Sequence, residues 1–179
     1  MSYLALAAHC AQASTARGFE PTTFETSPYR LLAMHSEVIE FRKAIEDAND
    51  PKNTKDERAK QEAIRDEAAD LANYALQVMR NLGATNWTLR SRVHEGPPTH
   101  ALPETLVKQL HDDVDQAYRA WRRGDARDVC VALEILLAHL DDVRKRCLWL
   151  TTSLQEDVAH KLARDAGRPR LNGHSSPRS

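Results

Sequence analysis

The chain has 179 residues, with 25 Lys plus Arg against 26 Asp plus Glu and a net charge of −1. That length supports one domain with a full core, and the near balance of charge gives no basic stripe for a nucleic-acid polymer or a membrane surface. No apolar run is long enough for a transmembrane helix; Cys10, Cys130 and Cys147 form neither a zinc-ligand pair nor an even disulfide framework, so a reducing cytoplasm is expected.

Helical periodicity dominates in chain order. M-S-Y-L-A-L-A-A-H-C lacks a basic leader and is interrupted by His9 and Gln12, so it reads as a helix and not as a signal peptide. It covers about 3–16 and ends near Gly18. Ser27-Pro28 supplies an N-cap with proline at N1 for a second helix. Its stripe is Met34, Val38, Phe41 and Ile45, and Asn49-Asp50-Pro51 stops it. Thr54-Lys-Asp-Glu57 reads as a capping box. It opens a longer third helix with Ile64, Ala68, Leu71, Ala75, Val78 and Leu82 on one stripe and Gly83 at its close. The stretch 84–102, with Gly96-Pro97-Pro98, reads as a linker. Pro103 starts a fourth helix that Gly124 ends. Asp125 and Asp128 open a fifth, running to about Trp149, and Thr152 or Ser153 caps a sixth that ends near Gly167. The expected architecture is a single all-α domain over 1–166, a helical bundle of five to six helices. A flexible tail rich in Arg, Pro and Ser follows over 167–179.

An internal repeat relates the halves. H-S-E-V-I-E-F-R-K-A-I from His35 aligns with H-D-D-V-D-Q-A-Y-R-A-W from His111, and R-D-E-A-A-D-L from Arg65 aligns with R-D-V-C-V-A-L from Arg127. Two related helical hairpins, about 28–83 and 103–150, are expected to pack as a four-helix core. In this register Glu37 meets Asp113, Glu40 meets Gln116, Glu67 meets Val129 and Asp70 meets Ala132. The first pair keeps its acids and the second is degenerate, so only the first is expected to bind metal.

Those acids carry the chemistry. Glu37 and Glu40, then Glu67 and Asp70, are i, i+3 couplets, each on one flank of its helix at the edge of the apolar stripe. Partly buried carboxylates at such an edge repel one another unless a cation lies between them. Hard oxygen ligands suit Mg²⁺ or Mn²⁺, and Mg²⁺ commonly takes phosphate oxygens as further ligands. The bland alternative is a solvated acidic face paired with Arg42, Lys43 or Arg65; two matched couplets favour the metal.

E-V-I-E, about two dozen residues, then E-A-A-D resembles the ExxE…ExxD signature of the all-α nucleoside triphosphate pyrophosphatases. That superfamily comprises the MazG-like proteins, the dimeric dUTPases and phosphoribosyl-ATP pyrophosphohydrolase. H-C-A-Q-A-S-T-A-R-G-F resembles the opening helix of MazG-like proteins. R-L-L-A-M-H-S-E-V-I-E-F-R-K-A-I and R-D-E-A-A-D-L-A-N-Y-A-L-Q-V-M-R-N-L-G resemble their two metal-binding helices. K-L-A-R-D-A-G-R-P-R-L-N-G-H resembles the family's basic C-terminal segment, with Asp165 where relatives often place asparagine. The resemblance implies an Mg²⁺-dependent hydrolase that converts a nucleoside triphosphate to the monophosphate and pyrophosphate. It also implies that Glu37, Glu40, Glu67 and Asp70 hold the metal and that Glu37 or Glu40 serves as general base. Lys161, Arg168 and Arg170 are the cations that would face phosphate, or else a solvated basic tail. A dUTPase or dCTPase with narrow base choice, and a non-catalytic helical interaction module, are the alternatives. A homodimer and an internal pseudo-dimer both fit the repeat.

Asn73 and Tyr74 follow Asp70 by one turn and are expected to touch base or ribose, or to pack at an interface. Trp87 stacks on a base or, more simply, packs. His35 and His111 read as structural. Asp112, Asp113 and Asp115 with Asp141 and Asp142 make a poor second cation site, because Val129 and Ala132 replace its ligands. There is no GxxxxGK[ST], GxGxxG or G-x-S-x-G sequence, which leaves a metal-centred mechanism over a P-loop or covalent one.

Overall fold

A computed structural model describes residues 3–84, 103–147, 150 and 152–166. The expected linker with Gly96-Pro97-Pro98, Trp87, and the tail with Arg168 and Arg170 lie outside the described residues. Six helices and no strand occur among the described residues. They are α1 (Tyr3–Ala16), α2 (Ser27–Asn49), α3 (Glu57–Asn81), α4 (Pro103–Arg122), α5 (Ala126–Cys147) and α6 (Leu154–Ala166).

Local chemistry sets the ends, with two corrections to the expected caps. Ser27 lies inside α2 and its Oγ donates to the Thr23 carbonyl at 2.6 Å, so the cap position falls to Thr26 with proline just inside the helix. At α3 the cap is Asp56, whose carboxylate accepts from the Ala59 N–H at 2.8 Å. A carboxylate reaches the third amide as well as a threonine does and also favours the positive helix end, which is why Asp56 displaces Thr54. Ser153 and Glu156 close a reciprocal capping box at α6, with bonds of 3.2 and 2.6 Å. α4 ends in a Schellman motif: Gly124, at φ 77°, donates to Trp121 and Asp125 donates to Ala120. The left-handed turn at Gly124 lets the chain reverse at once into α5.

The connection 50–56 can reach at most about 25 Å. Helices of 23 and 25 residues are roughly 34–37 Å long, so α3 must run back along α2. The shorter connection 123–125 forces the same antiparallel hairpin on α4 and α5. The hairpins meet through α2 against α4 and α3 against α5, while α1 and α6 both pack on α3. The expected stripes form the core. Met34, Val38, Phe41, Ala68, Leu71, Ala75 and Val78 are fully buried, Ile45 and Ile64 are 5% exposed, and Leu82 is partly buried against them. The repeat register holds in the packing: buried Leu31, Met34, Val38 and Phe41 correspond to buried Val107, Leu110, Val114 and Ala117. Ala68, Leu71, Ala75 and Val78 likewise correspond to Cys130, Leu133, Leu137 and Leu140, all buried.

A charged ladder fastens α6 to the bundle. Arg164 bonds Asp66 at 2.6 Å and Glu62 at 3.3 Å, and Arg65 bonds Asp157 at 2.7 Å. Asp157 also takes Arg144, a fully buried arginine on α5 that reaches Asp141 at 3.0 Å and the Thr152 carbonyl at 3.2 Å. This ladder sets where α6 lies on α3, and with it the position of Lys161.

Candidate metal centre and its two clefts

Glu37 on α2 and Glu67 and Asp70 on α3 converge, each offering a carboxylate oxygen within 4.8 Å of the others. All three are half-buried. Helical spacing places Glu67 and Asp70 one turn apart on one flank of α3, and the antiparallel hairpin brings the matching flank of α2 opposite. Oxygens on opposite sides of one Mg²⁺ are about 4.2 Å apart, so an adjustment of some tenths of an ångström would let the three share an ion. The donor set is all oxygen and anionic, which fits Mg²⁺ or Mn²⁺ and not a soft metal. Glu40 stands apart: it is exposed and lies outside the three-carboxylate group. Its charge nevertheless acts on both Glu37 and Glu67.

The electrostatics reflect this crowding. Burial, then the charges of Asp70, Glu40 and Glu67, pushes the Glu37 carboxyl up to about 7. Burial and Asp70 raise Glu67. Burial raises Asp70 too, against the opposing pull of Lys161. The Lys161 ammonium is paired directly with Asp70 and lies 3.4 Å from the Asp66 carbonyl. Lys161 is ninety-one residues from Asp70 in sequence, yet α6 delivers it to the acids.

The acids sit where two clefts meet. One, of about 230 Å³, borders Glu37 and Asp70 and is walled by Phe19, Arg30, Asn73, Tyr74 and Gln77. The Arg30 guanidinium lies 5.4 Å from the centres of both the Phe19 and Tyr74 rings. Gln77, 5% exposed, donates to Asn73 Oδ1 at 3.0 Å. Burial, then the Glu37 charge, raises the Tyr74 hydroxyl. Arg17 enters the same cleft and pairs with buried Asp165 at 3.6 Å. The other cleft, of about 360 Å³, borders Glu40 and Glu67 and carries Lys43, Lys55 and Lys60 near the 50–56 connection.

Of the residues expected from sequence, Glu37, Glu67, Asp70, Asn73, Tyr74 and Lys161 are thus brought together, and Glu40 lies beside them. Phe19, Arg30, Gln77 and the three lysines were not expected. Arg30 lies seven residues before Glu37, and Gln77 seven after Asp70. Two helical turns keep each on the flank of its acid.

Among its described residues the second hairpin has no such centre. Asp113, the counterpart of Glu37, is 1% exposed and bonded to His139 at 2.7 Å and Gln109 at 3.1 Å. Val129, Ala132 and Leu136, the counterparts of Glu67, Asp70 and Tyr74, are buried apolar residues. Three of the other acids weighed there are drawn apart: Asp112 to Lys108 at 2.6 Å, Asp115 to His35 at 3.4 Å, and Asp141 to Arg144 and Lys145. The two repeat-related histidines, His35 and His111, touch: their rings stack with centroids 5.1 Å apart and their Nδ1 atoms 2.8 Å apart.

In comparison with known proteins, the chain matches no family model, no curated protein and no solved structure.

Proposed function

We propose that the protein is a magnesium-dependent nucleoside triphosphate pyrophosphohydrolase of the MazG-like kind, acting on the cytoplasmic nucleotide pool. The observation that carries this reading is the convergence of Glu37, Glu67 and Asp70 at the junction of two clefts that also hold cations. Glu37, Glu67 and Asp70 would hold Mg²⁺, or Mn²⁺ in its place. When bound, the ion supplies neutralising charge for the phosphate oxygens and Lewis acidity toward water. Glu40, outside the ligand group and exposed, takes the proton of the attacking water. The water oxygen bonds to the α-phosphorus as the α–β bridging P–O bond breaks, giving the monophosphate and pyrophosphate. With Asp70 on the ion, Lys161, now paired with Asp70, would be free to turn its ammonium to the phosphates. No described helix is long and apolar enough to cross a membrane.

Pyrophosphate release from a panel of ribo- and deoxynucleoside triphosphates, with and without Mg²⁺, tests this. Glu67→Gln and Asp70→Asn are expected to lower kcat by at least about a hundredfold with the helical circular dichroism unchanged. One reactive deoxypyrimidine in the panel would mark a dUTPase- or dCTPase-type enzyme. No release from any nucleotide would replace the proposal with a non-catalytic interaction module.

A further inference from the structure

The two clefts differ in chemistry, and that difference gives the substrate a direction. We propose that the Phe19–Arg30–Tyr74 cleft takes the nucleoside end, with Asn73 and Gln77 reading the base edge, and that the Lys43–Lys55–Lys60 cleft takes the departing pyrophosphate. The inference rests on the pyrophosphohydrolase reading and names how that site divides its substrate.

The first cleft carries what a planar heterocycle needs. Arg30 lies over the rings of Phe19 and Tyr74, 5.4 Å from each centre. Together the three groups offer polarisable planes on which a base can stack. Asn73 and Gln77 face the same space. Their mutual bond uses one Gln77 N–H and one Asn73 oxygen lone pair, which leaves Asn73 with its donors and Gln77 with an acceptor. A fixed donor beside a fixed acceptor discriminates base edges, because a mismatched edge leaves a desolvated polar group unpaired. Arg17 of this cleft is engaged by Asp165 and Arg30 by the two rings, and Lys161 is held at the acids by Asp70.

The second cleft has no aromatic residue among the described residues of its lining. Its cations are ammonium groups, and Lys43 and Lys55 are exposed. Strongly hydrated point charges on flexible stems can follow a small polyanion as it leaves. Glu67 borders this cleft and Asp70 the other, so a chain of phosphates crossing the acids spans from one cleft to the other. The scissile bond then lies over the carboxylates, with the base behind it and the leaving group ahead.

Calorimetric binding of the two products to the full chain in magnesium buffer tests the assignment without requiring turnover. The probes are inorganic pyrophosphate and a panel of nucleoside monophosphates. Phe19→Ala and Asn73→Ala are expected to weaken binding of the preferred monophosphate by about tenfold and leave pyrophosphate unchanged, the order expected when a stacking partner or edge contact is removed. Lys43→Gln with Lys55→Gln is expected to do the reverse. All four positions lie outside the core, and circular dichroism verifies folding. Equal effects on both products, effects in the opposite sense, or a wild-type chain that binds neither product would overturn the proposal. The predicted split in a chain that cleaves no nucleotide would instead remove the hydrolysis and keep the division of the site. Turnover without the split would do the opposite.

Discussion

At neutral pH the Glu37 carboxyl of the metal-free protein is close to half protonated, because burial and three neighbouring acids raise it to about 7. The sign of its effect on stability follows from linkage. Below the unfolded value of about 4.5 both states hold the proton and the group contributes nothing. Between there and about 7 the unfolded chain has lost the proton that the folded chain retains, so stability falls as pH rises. Above that window the whole penalty is present. Glu37→Gln should therefore stabilise the metal-free protein at pH 8 by about 1–3 kcal/mol, a range discounted for the solvent that still reaches the group. The advantage should vanish near pH 4. Thermal melts in EDTA across that range read it directly; equal melting temperatures at pH 8 would show that the carboxylates do not crowd. The acids were legible in the sequence because i, i+3 spacing fixes a flank whatever the tertiary structure. Phe19, Arg30 and the lysines were not, since the walls come from separate elements and each residue alone is an ordinary polar or aromatic letter.

The helices followed from periodicity, and every expected element lies within a few residues of its place. What periodicity could not give was which charges enter the interior. From the sequence Arg65 is only a possible partner for a solvated acidic face, and nothing singles out Asp157 or Arg144. Yet Arg144 is fully buried and Asp157 only 3% exposed. The pairs that Asp157 makes with Arg65 and Arg144 join different helices, so no local pattern announces them. Such a network is costly to break from one side, because the surviving charge has no water to return to. Asp157→Asn is expected to cost about 3–5 kcal/mol, seen as a lower urea midpoint with an unchanged slope. Arg164→Ala is the control. Its side chain is 32% exposed in a pair with Asp66, and its loss should cost no more than about 1 kcal/mol. Similar losses for both would mean that the Arg144 network is solvated.

Across the whole molecule, the repeat divides labour. Both hairpins bury the same register positions, but one opens an acidic seam and the other fills the corresponding space with Val129, Ala132 and Leu136. The sequence alignment foretold the missing ligands; it could not foretell that His139 would engage the surviving Asp113. Restoring the acids by Val129→Glu with Ala132→Asp should therefore not restore a site. Those positions are 0% and 6% exposed, and two carboxylates there should destabilise the fold by several kcal/mol. Manganese titration of any folded fraction should give no more equivalents than wild type; an added equivalent would show that the second hairpin is only a mutated centre and not a remodelled one.

The contact between His35 and His111 asks for something that a perfectly mirrored pair could not fix. Two like nitrogens sharing one hydrogen bond must adopt unlike tautomers. The Asp115 carboxylate lies 3.4 Å from Nε2 of His35 and favours the neutral tautomer with its proton there. In that tautomer His35 Nδ1 accepts and His111 Nδ1 donates across the 2.8 Å gap. In the other half the counterpart of Asp115 is Ile39, which has no charge to draw with. Joining both copies in one polypeptide lets such a difference bias where the proton resides.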